Sequence, residues 1–320
     1  MRIFFPEPMD FAPDALDKLR GAGHAICRHE AGNTDFDAEL AEAEVVVVRL
    51  GIHWDAKRLS AAPKLRAILT PTTGLDHIDL EAAAEAGVAV LSLRGLEGLD
   101  TVTSTPEHAF ALLLSLVRHI PAASAAVLRG EWNRDAFVGR ELRGKRAGII
   151  GCGRTGSAFG GYCEAFGMQV EYIDPNVEHP AWRRHGGLAD LARSCEVISL
   201  HVHLDDETQN MLDASFFGAC AHAPWLINTS RGALIDESAL MEALDGGQIS
   251  GFAGDVICNE PETGDALLSP LLDVARRRDN VILTPHIAGA TIDAMRTTEN
   301  MIVDAFLKWM SVDPDKSSPE

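Results

Sequence analysis

Three residues that lie far apart in the sequence have side chains suited to chemistry on a carboxylic acid. Arg231, Glu260 and His286 each come shortly after an apolar run that predicts a β-strand. A guanidinium can hold a carboxylate through two hydrogen bonds, an imidazole can exchange a proton near neutral pH, and a nearby carboxylate orients that imidazole. Taken one at a time, each has an ordinary structural explanation. Arg231 could form a surface ion pair, Glu260 could belong to a Glu-Pro turn, and His286 could be a structural histidine. As a set at the rim of a dinucleotide-binding domain, they match what hydride transfer to a 2-oxo acid requires.

A glycine-rich turn provides a second chemical signal. Gly151, Gly153 and Gly156 form the spacing G-x-G-x-x-G between the apolar run Ala147–Ile150 and a helical pattern. In this setting the first glycine permits a tight turn, the second lets a pyrophosphate approach the backbone, and the third lets helix and strand pack closely. The helix N-terminus offers N–H groups to the phosphates. The arrangement predicts a dinucleotide site.

The next apolar run indicates which dinucleotide binds. Gln169–Ile173 ends in Asp174, within the expected ~20 residues after the glycine turn. A carboxylate at this place accepts a hydrogen bond from the ribose 2′-hydroxyl of NAD and repels the 2′-phosphate of NADP. Pro-Asn-Val follows, with no basic residue. We therefore expect NAD.

Parallel sheets are expected to position these residues. Short apolar runs alternate with helical patterns along the chain, which predicts βαβ units and buried parallel strands. Ligands bind beyond the carboxyl ends of such strands, so the polar residues that follow them should converge there. The predicted strands are Arg2–Pro6, Val45–Arg49, Arg66–Leu69, Val88–Leu91, Ala147–Ile150, Gln169–Ile173, Val197–Leu200, Trp225–Asn228, Gly251–Val256 and Val281–Thr284.

One long helix is predicted between the two α/β series, from about Ser104 to Arg129, with a cap at Thr105 and Pro106 at its first position. Its central sequence AFALLLSLV is apolar nearly all round, which is typical of a helix buried on more than one side. A deep core helix and a subunit interface both satisfy this pattern. A further helix is predicted over Ile292–Met310, followed by a polar tail expected to be disordered.

Composition narrows the class of protein. The 320 residues contain 28 Lys and Arg against 47 Asp and Glu, a formal charge of −19. Such a balance argues against nucleic acid and anionic membranes as partners, but a few local arginines can still bind a small anion. The first ten residues do not resemble a signal peptide, and no run approaches the ~18 apolar residues of a membrane span. Six unpaired-looking cysteines suggest buried thiols in a cytoplasmic protein.

No metal site is expected. His201 and His203 have a spacing that could suggest two ligands, but no third ligand stands at a plausible distance along the chain.

The sequence resembles the D-isomer-specific 2-hydroxyacid dehydrogenase family over nearly its whole length. That family includes phosphoglycerate dehydrogenases and glyoxylate/hydroxypyruvate reductases. The segments that carry the resemblance are Gly74–Asp79, Gly130–Trp132, Glu141–Lys145, Asn228–Leu240, Asp255-Val256 with Glu260-Pro261, and Thr284–Gly289. Two residues depart from the family pattern: Thr155 replaces an apolar residue, and His203 stands where proline is usual. Glu260 argues against a formate dehydrogenase, which carries an amide at that place.

The resemblance implies a fold, a cofactor and a site. The fold would be two doubly wound parallel-sheet α/β domains: a Rossmann NAD-binding domain over 99–289 and a discontinuous flavodoxin-like substrate domain over 1–98 plus 290–320. A homodimer through the long helix is typical of the family. The implied catalytic set is Arg231, Glu260 and His286. The residues implied to contact NAD, besides the three glycines, are Arg154, Thr155, Asp174, Thr229, Ser230, Asp255 and Gly289.

Two matters stay open on the sequence. The backbone at Thr73 and Gly74 is implied to meet the substrate carboxylate, and either Arg49 or Arg94 could bind a substrate phosphate or simply pair with surface acids. The function could also differ from NAD-dependent oxidation of a 2-hydroxy acid. Rival functions are an NAD(H)-responsive corepressor-type binding protein and an enzyme acting on another anion such as phosphite.

Overall fold

The computed structural model describes residues 1–7, 10–29, 35–261 and 268–312, which form two compact α/β units. One unit contains Met1–Val102 and the chain from Thr291 onward. The other contains Thr103–Glu260 and the chain that ends at Ala290. Helices and strands are numbered below in chain order.

The first unit is built on a five-stranded sheet in which every strand runs parallel to its neighbours. The order β2-β1-β3-β4-β5 is the flavodoxin-like arrangement. Its strands are β1 (Arg2–Phe5), β2 (Ala25–Arg28), β3 (Val45–Val47), β4 (Ala67–Leu69) and β5 (Ala89–Leu91). Its helices are α1 (Pro13–Gly21), α2 (Phe36–Glu42), α3 (Ala56–Ser60), α4 (Leu80–Glu85) and, from the end of the chain, α12 (Ile292–Val312).

Apolar residues on both faces explain why this sheet is parallel and buried. All residues of β3 and β4 are completely buried, as expected for central strands covered by helices on each side. One core contains residues of α1 and α12, and a second core lies under α2, α3 and α4.

The second unit is built on a seven-stranded parallel sheet of order β12-β11-β10-β9-β6-β7-β8. Its strands are β6 (Arg146–Ile150), β7 (Gln169–Ile173), β8 (Arg183–Arg184), β9 (Val197–Leu200), β10 (Trp225–Asn228), β11 (Gly251–Gly254) and β12 (Val281–Leu283). Its helices are α5 (Ser104–Val117), α6 (Ile120–Leu128), α7 (Arg154–Ala165), α8 (Leu188–Ser194), α9 (Ala214–Ala219), α10 (Glu237–Gly246) and α11 (Pro270–Arg277). The strand order reverses between β6 and β9, which is the switch point where doubly wound sheets bind ligands. The predicted fold class is confirmed.

The prediction of one helix from Ser104 to Arg129 is wrong. The segment breaks into α5 and α6, whose axes differ by 63°, and His119 at the break has a φ of 54°. Pro121 lies in the first turn of α6 and has no N–H to continue the helical bonds, so the carbonyl of Val117 accepts from Arg140 N instead, at 3.0 Å. The predicted cap at Thr105 is also wrong, because α5 begins at Ser104 and its N-cap is Thr103, two residues earlier than predicted.

Two edge strands, β2 and β8, were not predicted, and several observed strands end one or two residues earlier than the prediction. The helix predicted over Ile292–Met310 continues to Val312, and the remainder of the predicted disordered tail lies outside the described residues. Within the described ranges, no single helix has the length and apolar composition of a membrane span, although α5 and α6 taken as a bent pair, with the short turn before α5, pass that test together.

Candidate functional site

The glycine turn after β6 is shaped by close contacts at two of its three glycines. Gly151 has a φ of +88°, and a Cβ there would lie 2.4 Å from the carbonyl oxygen of His201. A Cβ at Gly156 would lie 1.9 Å from the carbonyl oxygen of Gly151, so larger residues are excluded at both positions. By contrast, nothing lies within 4 Å of a Cβ at Gly153. The backbone at Gly153 is therefore open to a ligand at the N-terminus of α7, which begins with Arg154 and Thr155.

Asp174 connects the end of β7 to this turn. Its carboxylate accepts hydrogen bonds from the backbone N–H of Cys152 at 2.7 Å, of Asn176 at 2.8 Å and of Val177 at 2.9 Å. The side chain is fixed beside the glycine turn yet half-buried rather than enclosed. Sequence analysis missed a basic neighbour: Arg184 in β8 donates to the carbonyl oxygen of Asp174 at 2.6 Å. Sequence analysis considered only the residues directly after Asp174, whereas Arg184 lies in an edge strand ten residues further along the chain.

The structure brings His286 and Glu260 together. Nδ1 of His286 lies 2.6 Å from Oε2 of Glu260, and the two side chains are 23% and 33% exposed. Because Nδ1 is engaged by the carboxylate, Nε2 is the nitrogen left to act on a ligand. His286 has a φ of 53°, an unusual backbone conformation for a residue with a side chain, and its N–H donates to the carbonyl oxygen of Asp255 at 2.8 Å.

Asp255 anchors the loop that carries this histidine. Its completely buried carboxylate accepts from the hydroxyl of Thr284, from the N–H of Ile287 at 2.9 Å and from the N–H of Ala288 at 2.7 Å. Burial acts to raise the pKa of Asp255, but hydrogen bonds from His108, Thr284 and the two N–H groups outweigh it and lower the pKa below its ordinary value. Asp255 is therefore a carboxylate at neutral pH.

The residues after β10 form a tight polar turn. The side chain of Asn228 donates to the carbonyl oxygen of Arg231 at 2.8 Å and accepts from the N–H of Ser230 at 3.0 Å. The Ser230 hydroxyl donates to the carbonyl oxygen of Leu200 at 2.8 Å. The Arg231 guanidinium donates to the carbonyl oxygen of Ser230 at 2.7 Å. The convergence of Arg231 on the His286 pair stays a prediction.

Several features at this edge of the sheet fit a bound dinucleotide. The hydroxyl of Thr229 is buried and has no hydrogen-bond partner among the described residues, a costly arrangement that a ligand would relieve. Gly153 leaves the turn open, Asp174 stands next to it, and Gly289 is exposed with open space where a Cβ would lie.

His201, one of the two histidines whose spacing could suggest metal ligands, is engaged within the protein. His201 is buried, its Nε2 lies 2.9 Å from the hydroxyl of Ser199, and burial lowers its pKa to about 3. Across the described ranges, no group of three or more His, Cys, Asp or Glu residues is arranged to hold a metal ion. All six cysteines are free thiols.

In the first unit, the loop at Thr73 and Gly74 presents its N–H groups. The hydroxyl of Thr72 donates to the carbonyl oxygen of Gly74 at 2.9 Å, and Nε of Arg94 donates to the carbonyl oxygen of Thr73 at 2.7 Å. Within the described part of the chain, neither Thr73 N–H nor Gly74 N–H donates a hydrogen bond. The carbonyl oxygens are thus occupied and the donors remain, as in an anion-binding loop.

Arg49 has a different environment. Its guanidinium forms an ion pair with Glu299 of α12, which is only 2% exposed, and also donates to the carbonyl oxygen of Asp10 at 3.2 Å. Glu299 in turn accepts from the N–H of Ala12 at 2.6 Å. These contacts make Arg49 part of the packing between α12 and the sheet.

The doubly wound sheet, its glycine turn at the switch point and the Asp174 carboxylate define a dinucleotide-binding protein of the Rossmann class. Comparison with known proteins identifies the family. The profile of the D-isomer specific 2-hydroxyacid dehydrogenase NAD binding domain matches residues 110–288, more than half of the chain. The chain belongs to the D-isomer specific 2-hydroxyacid dehydrogenase family, and NAD is confirmed as its cofactor.

Two curated relatives and one solved structure illustrate the similarity. The D-3-phosphoglycerate dehydrogenase of Archaeoglobus fulgidus is 34% identical over 309 residues, which are 95% of this chain and 56% of that protein. The enzyme of the same name from Haemophilus influenzae is 35% identical over 302 residues, 92% of this chain and 72% of the relative. The chain thus spans little more than half the length of the first. The Aquifex aeolicus D-lactate dehydrogenase, solved with NAD and lactic acid, superposes with a TM-score of 0.83 at 28% identity, covering 99% of this chain and 97% of the other.

Proposed function

We propose that the protein is an NAD-dependent oxidoreductase that transfers a hydride between NAD(H) and a small D-2-hydroxy acid or the corresponding 2-oxo acid. The observation that carries the proposal is the 2.6 Å contact between His286 Nδ1 and Glu260 Oε2, in the unit that also carries the glycine turn. Family membership supports the same reaction. The first unit would be the substrate domain, and the second the dinucleotide domain.

Each of the three candidate catalytic residues has a defined task in this proposal. Bound NADH would supply the hydride that adds to C2 of the 2-oxo acid. His286 would donate a proton from Nε2 to the carbonyl oxygen, so that hydride and proton together convert the carbonyl to a hydroxyl. Glu260 stabilises the charged imidazole and holds its plane through Nδ1. Arg231 would clamp the substrate carboxylate and polarise the carbonyl.

The Thr73–Gly74 loop would receive the substrate carboxylate through its two available N–H groups. Arg94 is the better candidate for a second anionic group on the substrate. Its Nε is bonded to Thr73, while no acceptor within the described ranges engages its terminal Nη groups. The Arg49 side chain instead pairs with Glu299, so we propose a packing role for it.

Exposed apolar side chains around α6 support a homodimer. Ile120 and Val127 are each 51% exposed, and Leu128, Trp132 and Val138 are still more so. Such a concentration of apolar surface is typical of a protein interface. We propose that this segment joins two copies of the chain. We also propose a cytoplasmic location, because the six cysteines are free thiols.

Oxidation of NADH, followed at its near-ultraviolet absorbance, tests the reaction. The panel contains glyoxylate, hydroxypyruvate, pyruvate and phosphohydroxypyruvate, each with NADH and NADPH. We expect turnover with NADH and a loss of about 10²–10⁴-fold in kcat for His286→Ala, the usual contribution of a general acid. NADH binding without turnover of any member would refute the enzyme and favour the corepressor-type alternative. Wild-type turnover by His286→Ala would remove His286 from its role.

A further inference from the structure

A chain of hydrogen bonds leads from helix α5 to the anchor of the catalytic loop. Nε2 of His108 lies 3.0 Å from the hydroxyl oxygen of Thr284 and 3.4 Å from Oδ1 of Asp255. That hydroxyl is itself in hydrogen-bond contact with Oδ1 of Asp255. His108 is partly buried, with 20% of its side chain exposed.

The direction of each hydrogen bond in this chain follows from the donors available. Asp255 is ionised and can only accept, so the single proton of the Thr284 hydroxyl points to the carboxylate. The same hydroxyl oxygen must then accept from its other neighbour. Nε2 of His108 therefore carries a hydrogen and donates it to Thr284. Each hydrogen bond orients the next group, and the negative charge of the Asp255 carboxylate strengthens the hydrogen bonds that lead to it.

The far end of this chain determines where His286 lies. The two oxygens of the Asp255 carboxylate accept hydrogen bonds from the N–H groups of Ile287 and Ala288, the two residues that follow His286. The carbonyl oxygen of Asp255 holds the N–H of His286 itself. These contacts maintain the positive φ of His286, a conformation that needs support from its surroundings.

We propose that His108 is a positioning residue for the reaction: by donating to Thr284 it orients the Asp255 carboxylate, and so holds the His286 loop in the geometry for proton transfer. This proposal rests on the function proposed above. His108 is a polar residue on a mostly apolar helix, and this role gives it a specific partner. Nothing in the sequence pattern marks it, because its partners come from a strand end 176 residues away.

Paired variants test the proposal in the full-length protein. His108→Phe removes the donor, whereas His108→Gln keeps an N–H donor near the place of Nε2. We expect His108→Phe to lower kcat by about 5- to 30-fold, the effect of one lost hydrogen bond next to a charged group, with KM for the 2-oxo acid changed less than about threefold. His108→Gln should recover most of kcat. Glu107→Gln, an exposed neighbour on the same helix, serves as the control and should behave as wild type.

A double-mutant cycle and an activity-independent measurement decide the outcome. Thr284→Val should mimic His108→Phe, and the double variant should be no slower than Thr284→Val alone, because both break one chain. Hydrogen exchange of the Ile287 and Ala288 amides should be faster in His108→Phe. Additive losses, failure of His108→Gln to rescue, or unchanged exchange would each overturn the proposal. If the wild type fails to oxidise NADH with any of the 2-oxo acids, the proposed function is refuted. The amide-exchange measurement then still decides whether His108 positions the His286 loop.

Discussion

Replacing Arg94 and Arg49 separately should distinguish substrate recognition from packing. Both arginines lie in the first unit, and the sequence alone left either of them able to bind a substrate phosphate. Arg94 is exposed and holds the carbonyl oxygen of Thr73, the residue whose N–H is expected to meet the substrate. Arg49 is paired with the buried carboxylate of Glu299. We therefore expect Arg94→Met to change selectivity and Arg49→Met to change stability.

The sizes of the two effects follow from exposure. A hydrogen bond to a charged group contributes about 1.5–3 kcal/mol, and because Arg94 is exposed we expect a smaller contribution, at or below the lower end of that range, about 1–2 kcal/mol. That corresponds to a rise of about 5- to 30-fold in KM for a substrate with a second anionic group. Breaking a buried ion pair costs about 3–5 kcal/mol. Arg49 is 24% exposed, so we expect a loss of about 1–3 kcal/mol in the free energy of unfolding for Arg49→Met.

The stability effect of Arg49→Met should depend on pH with a definite sign. Burial raises the pKa of Glu299 above its ordinary value, despite the opposing N–H of Ala12 and the Arg49 guanidinium. Ionisation of Glu299 therefore disfavours the folded state, and loss of Arg49 increases that cost. The difference between variant and wild type should be largest above the pKa of folded Glu299 and should shrink as pH falls through it.

Phosphohydroxypyruvate and hydroxypyruvate form a matched substrate pair, since they differ only in the phosphate. In steady-state kinetics, Arg94→Met should have a raised KM for phosphohydroxypyruvate and an unchanged KM for hydroxypyruvate. Arg49→Met should have wild-type KM values for both substrates. Urea unfolding supplies the stability comparison. An equal loss for both substrates in Arg94→Met would mean that Arg94 only supports the Thr73 loop. A selective loss in Arg49→Met would refute the packing assignment.

Two further predictions concern the second unit. Asp174→Ala should raise KM for NADH by about tenfold or more and reduce the preference for NADH over NADPH, because it removes both the ribose acceptor and the charge that repels a 2′-phosphate; an unchanged ratio of the two KM values would contradict this. The pKa of Asp255 is lowered on folding, so its carboxylate stabilises the protein above the unfolded pKa of about 4, and that contribution is lost as pH falls through the folded value. The stability gap between wild type and Asp255→Asn in urea titrations should therefore be constant near neutral pH and narrow as pH falls below about 4, and a gap that does not narrow there would count against the hydrogen bonds described here.

Apolar runs predicted the central strands well because those strands are covered on both faces. Gln169–Ile173, Val197–Leu200 and Trp225–Asn228 were predicted with the bounds that the structure has. The edge strands β2 and β8 escaped prediction, although the edge strands β5 and β12 did not. The two arginines of β8 are both exposed and give no apolar signal at all.

The broken helix had a signal that was available. Pro121 disfavours helical geometry at Ile120, the residue before it, and a helix boundary near that position could have been predicted. The apolar run on either side outweighed that signal. The two helices also differ in burial. Most apolar residues of α5 are buried in the core, whereas most apolar residues of α6 are exposed. The break therefore separates a buried core helix from the exposed segment that we propose as the subunit interface.

The candidate site shows why sequence patterns identify the reacting groups more easily than the residues that hold them. His286 and Glu260 follow strand ends, and parallel topology alone places them at one edge. His108 lies in the first turns of α5, and only the packing of that helix against β12 places it beside Thr284. A local pattern cannot specify such a contact, because it depends on which helix covers which strand. The same packing directs the Asp255 carboxylate to the backbone around His286, so the position of the proposed proton donor depends on a helix that carries none of the catalytic residues.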